Sequence, residues 1–126
     1  MNIILDSNEY PSSPYPEPYS GALVTQEELN EFINKTIDQN KQPIVIFGAN
    51  WCPDARLLEG VMRLPTVKSF LESNANVINI DVGDYEINTD LFKMFDGNIQ
   101  DGIPRVFIMS KICLLYTSDA ADESSS

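Results

Sequence analysis

The chain contains no histidine, and only two cysteines and eight lysines and arginines stand against nineteen acidic residues. Each shortage excludes something. Without an imidazole, serine-type and cysteine-protease-type catalysis lack their usual base. Two cysteines and no histidine also leave too few soft donors for a zinc site, so no metal is expected. A net charge of −11 opposes binding to nucleic acid or to an anionic membrane surface. No apolar run approaches the length needed to span a bilayer. The opening Met1-Asn2-Ile3-Ile4-Leu5-Asp6 has neither a basic flank nor an apolar stretch long enough for a signal peptide. The expected location is therefore cytoplasmic. What remains, at 126 residues with 43% hydrophobic and 21% charged side chains, is the composition of one ordinary globular domain.

Four prolines fall within Tyr10 to Tyr19, which rules out helix and central strand there. Residues 1–24 read as a Pro/Tyr-rich extended arm, with a polyproline II ligand segment as the alternative. Thr25-Gln26-Glu27-Glu28 has the spacing of a capping box, and Leu29, Phe32, Ile33 and Ile37 recur at helical intervals behind it. Pro43 to Phe47 is a β-branched and aromatic run, the pattern of a buried strand. Leu57, Leu58, Val61 and Met62 form the apolar face of a following helix, which Leu64-Pro65 must kink or end. Val77 to Val82 reads as a second strand, parallel to the first through a right-handed crossover. A short helix then begins at Asn88-Thr89-Asp90, with Leu91, Phe92, Met94 and Phe95 facing inward. The acids Asp81, Asp84, Glu86 and Asp90 do not fit an EF-hand loop and read as loop and cap residues.

The stretch from Ile44 to Arg56 organises the rest. Gly48-Ala49-Asn50 breaks the strand, and Pro53 suits the first position of a helix, where its missing N–H costs nothing. Asp54 follows at the positive end of that helix. Cys52 thus stands at a helix N-terminus beside Trp51, where backbone N–H groups and the helix dipole favour thiolate over thiol. Farther on, Gly102-Ile103-Pro104 precedes the apolar run Arg105 to Met109, a proline at a strand start.

Trp51-Cys52-Pro53-Asp54-Ala55 after a buried strand, together with Gly102-Ile103-Pro104 before another, resembles the thioredoxin family and its W-C-x-x-C turn, most closely those relatives that read W-C-P-D-C. The resemblance runs from Thr25 to Met109. It implies an α/β thioredoxin-like fold, a central mixed sheet with flanking helices. It also implies a cis Pro104 facing Cys52, and an Ile103 backbone that receives an extended peptide or glutathione. Two positions depart from the family. Ala55 stands where the second, resolving cysteine belongs, and Ile46 where the family carries a buried acid. The chain can thus perform at most the first step of dithiol exchange. Arg56, one turn into the helix, is expected to assist a thiolate, and Asp54 to oppose it by like charge.

Cys113 to Glu123 resembles the translation of a sequencing-library adaptor. That resemblance places the end of the genuine sequence near Ile112 and implies that Cys113 is no resolving cysteine. The three acids of that run, Asp119, Asp122 and Glu123, have no base among them, so without them the net charge moves from −11 to −8 and stays acidic. The expected organisation is an arm at 1–24, an incomplete thioredoxin-like domain at 25–112 lacking the family's last strand and helix, and a non-native tail at 113–126.

Two functional expectations follow. In the first, Cys52 alone performs disulfide exchange with protein thiols or disulfides, with glutathione as a candidate co-substrate and no bound cofactor. In the second, the chain is a redox-inactive binding module that holds a partner peptide in the groove beside Trp51 and Pro104. A blander reading takes Cys52 as an inert buried thiol.

Overall fold

The structure, a computed structural model, describes residues 5, 7–97 and 102–109. The run from Cys113 to Glu123 and the boundary at Ile112 lie outside the described residues. Helix α1 (Gln26–Asp38) starts at the capping box: the Thr25 hydroxyl accepts from the Glu28 N–H at 3.0 Å, and the Glu28 carboxylate accepts from the Thr25 N–H. Strand β1 (Gln42–Gly48) follows, then α2 (Pro53–Met62) and α3 (Pro65–Asn74). The Leu64-Pro65 break therefore ends one helix and starts another, because a proline suits a helix start but not its interior. Strand β2 (Ala75–Asp81), the short helix α4 (Thr89–Lys93) and strand β3 (Arg105–Ile108) complete the described elements.

The sheet has the order β2-β1-β3, with β1 in the middle. β1 runs parallel to β2, in register from Gln42 opposite Ala75 to Gly48 opposite Asp81. It runs antiparallel to β3, with Ile44 opposite Ile108 and Phe47 opposite Arg105. Alternation along β1 sends Val45 and Phe47 to one face, where they join Leu29 and Ile33 of α1, Leu91 and Phe92 of α4, and Ile80 of β2 in the main core. Phe47 sits at the centre of an aromatic group, its ring centroid 5.1 Å from Phe92 and 5.9 Å from both Phe95 and Phe107. The opposite face carries α2 and α3; there the Asn79 amide donates to Glu59 of α2 at 3.1 Å.

One inward placement is corrected. Met94 is 40% exposed, because α4 ends at Lys93 and the chain turns away before Met94 can reach the core; Phe95 packs against it instead. On β3, Phe107 turns to the core while Val106 and Ile108 point outward. Among the described residues no helix is long and apolar enough to cross a membrane.

Candidate functional site

The site is assembled where β1 hands over to α2. The Cys52 N–H donates to the Ala49 carbonyl at 3.1 Å, closing the turn, and the Arg56 N–H donates to the Cys52 carbonyl at 3.1 Å, opening the helix. Cys52 is thus the N-cap residue of α2, in extended geometry, with Pro53 as the first helical residue and no side-chain cap bond. Its thiol is free and donates toward the Ile103 carbonyl oxygen at 3.5 Å. The Ile103–Pro104 peptide bond is cis, and Gly102 before it takes a φ of 105°, a conformation open to glycine and strained for other residues. The turn and the Ile103-Pro104 segment therefore meet at the Cys52 sulfur.

Cys52 is only 7% exposed, but it is not part of the main core. It packs in a small separate cluster with Ala55 and Tyr19, and Ile103 closes one side. Ala55 places a buried methyl group in this cluster, and Ile46 is buried within β1. Trp51 is 52% exposed; its indole N–H donates to the Gly83 carbonyl at 2.7 Å, and its ring meets Tyr85 edge-on at 5.8 Å. Pro53 and Asp54 are exposed on the first turn of α2.

The Arg56 guanidinium donates to the carbonyls of Tyr15 (2.8 Å) and Pro16 (3.3 Å), so its side-chain hydrogen bonds hold the N-terminal arm. From residue 7 onward the arm has neither helix nor strand, and it lies along α2 and the β1–α2 turn. Asn50 grips it in two directions: its side-chain oxygen accepts from the Tyr19 N–H at 3.0 Å and its amide donates to the Tyr19 carbonyl at 2.6 Å. Asp81 accepts from the Gly21 N–H at 2.8 Å, and Asn88 accepts from the Val24 N–H at 2.9 Å.

Tyr19, 5% exposed, lies against Gly48, where any added Cβ would run into the phenol. Burial first, then the negative charges of Glu59, Asp81 and Cys52, push the phenol well above the ordinary tyrosine range. Neither Tyr19 nor Asn50 was legible as a site residue. A proline-rich run announces extended chain but not where it docks, and a single asparagine before the motif has no distinguishing pattern.

Among the described residues no group of three or more His, Cys, Asp or Glu side chains is placed to hold a metal ion. A groove of about 700 Å³ opens between α1, α3 and β3, lined by Ile37, Ile44, Phe70, Leu71 and Ile108, and includes no residue of the Trp51 to Arg56 motif.

No family model and no curated protein matches the sequence. Among solved structures, the chain is similar to a disulphide isomerase from Xylella fastidiosa Temecula1, at 28% identity and a TM-score of 0.68, over 75% of this chain and 72% of that one. The fold is thioredoxin-like: a mixed sheet with helices on both faces, in agreement with that structure. The likeness also supports a thioredoxin-like kinship in general.

Proposed function

We propose that this chain is a thioredoxin-like thiol-redox protein that works through Cys52 alone. The observation that carries the proposal is the meeting of one free thiol, at the N-terminus of α2, with the Ile103 carbonyl beside Pro104. Similarity to a disulphide isomerase supports a thioredoxin-like redox role in general. In the exchange, the Cys52 thiol loses its proton and the thiolate attacks one sulfur of a partner disulfide. The partner S–S bond breaks as the Cys52–S bond forms, and the departing sulfur leaves as a thiolate that takes up a proton. Ala55 cannot resolve the mixed disulfide. A second, external thiol must attack it, and glutathione in a reducing cytoplasm has the right chemistry. Ile103 and Pro104 line the approach, Trp51 with Tyr85 offers an exposed apolar shoulder, and Pro53 and Asp54 sit at the rim of the helix end. The substrates are protein thiols or disulfides, and no bound cofactor or metal takes part.

The test is glutathione-coupled reduction of a peptide disulfide, with Cys52→Ser beside the parent chain. Turnover that vanishes in the serine variant is expected. No turnover by the parent chain, with no mixed disulfide trapped on Cys52, would falsify the proposal.

A second reading, a redox-inactive module that binds a partner peptide, is favoured by the buried Ala55 and Ile46 in place of the resolving sulfur and the acid. Under that reading Cys52→Ser captures the same peptides as the parent chain. Under the exchange reading capture depends on the sulfur.

A further inference from the structure

We infer that the N-terminal arm is a tethered strap that shields Cys52, and that the thiol meets a partner disulfide only when the Tyr19 segment lifts. The inference rests on reading Cys52 as the exchanging thiol, but it concerns access and not chemistry.

Cys52 owes part of its cover to the Tyr19 ring, which comes from a segment thirty-three residues upstream and not from the sheet or helices. A disulfide sulfur approaching the Cys52 sulfur has to occupy space that Tyr19, Ala55 and Ile103 now enclose. Of these, Ala55 is fixed inside α2, whereas Tyr19 sits on extended chain with no helix or strand of its own. The bonds that hold the arm nearby are of one kind. Asn50, Arg56, Asp81 and Asn88 address backbone N–H and C=O groups of the arm. These bonds are exposed or half-buried, so water can replace them one by one as the segment opens. Segments held this way open locally, far below the free energy of global unfolding. The aromatic ring is the one deep anchor. The two clusters share no buried member; Ile103 packs against both, and Val24 at the end of the arm packs against the main core, so the segment that can lift is the one around Tyr19, upstream of Val24.

The test is the rate at which iodoacetamide alkylates Cys52 in the full chain, with peptide mass analysis separating Cys52 from Cys113. The parent chain is expected to react slowly compared with its urea-unfolded form. Tyr19→Ala, which removes the plug, and Asn50→Ala, which removes both bonds to the Tyr19 peptide, should each react about ten-fold faster. Tyr19→Phe keeps the ring and should stay slow. Unfolding midpoints measured in parallel identify any variant that has simply lost its fold. In that case the folded Asn50→Ala variant decides.

A parent chain as reactive as the unfolded one, or folded arm variants no faster than the parent, overturns the strap. Mixed-disulfide formation with glutathione disulfide separates this result from the exchange proposal. Fast alkylation without mixed disulfide in Tyr19→Ala leaves the strap standing and removes the exchange. A parent chain that forms mixed disulfide at the variants' rate removes the strap and leaves the exchange.

Discussion

Phe47 and Cys52 lie five residues apart on one continuous stretch, yet they are packed by different means. Phe47 is fully buried and touched by three further aromatic rings, drawn from α4, the segment after it, and β3. Its surroundings are redundant: each contact is one of many, and the aggregate fixes the ring. Cys52 is nearly as buried, but its cluster has only two other buried members, one of them borrowed from the arm. The first arrangement resists opening because no single contact matters. The second depends on one ring from the arm, which is the contact the proposed strap would release.

The comparison can be broken most forcefully at Phe47. Phe47→Ala should cost about 3–5 kcal/mol, as large-to-small changes at fully buried aromatics do, and should lower the urea midpoint for the whole domain. A smaller loss would mean that the aromatic group is less tightly packed than its geometry implies. Next in size is Gly48→Ala, on the border between the two regions. Its new methyl would meet the Tyr19 phenol and lie 3.1 Å from the Ala55 Cβ. Overpacking of this kind costs about 1–3 kcal/mol. The Tyr19 ring is the neighbour best able to move, so Cys52 alkylation should accelerate even where the fold survives. An unfolding midpoint that drops with no change in alkylation would instead place the strain in the core.

A subtler effect follows from the buried phenol. Tyr19 keeps its proton in the folded state well above the ordinary range, through burial first and the charges of Glu59, Asp81 and Cys52 after it. Below pH ~10 the phenol is neutral in both states and contributes no slope. As the pH rises beyond that value, the unfolded chain releases this proton first, so stability falls. Urea midpoints of the parent chain and Tyr19→Phe should therefore diverge only in that alkaline window, with the phenylalanine variant losing less. The smallest effect expected is at Trp51. Trp51→Phe removes one hydrogen bond to Gly83 at a half-exposed side chain, and a loss near 1 kcal/mol or below in thermal or urea unfolding is expected.

Much of the fold was legible because its signals are local. The capping box at Thr25 and Glu28, the apolar run of β1 and the proline at the start of α2 each act within a few residues, and each lies where its pattern implies. Met94 departs from the pattern because helical periodicity does not continue past the end of the five-residue α4. The position of Cys52 at a helix N-terminus was equally local, since it depends only on the break at Gly48 and the proline after the thiol. Its cover was not legible. That depends on a contact across thirty-three residues, and the proline run specifies a shape and no destination. The bonds of the Arg56 side chain to the arm are not legible for the same reason: they run to carbonyls about forty residues upstream.

Asn50 holds the peptide unit of Tyr19, and Asn88 holds that of Val24. The stretch between these two grips behaves as a ruler. Removing a single residue from it would pull the upstream chain along by up to ~3.3–3.6 Å, more than any of these bonds tolerates, and carry the ring off the sulfur. Substitutions at Ser20, Ala22 or Leu23, all exposed, alter no graduation on that scale. In this segment the number of residues should therefore matter more than their identity.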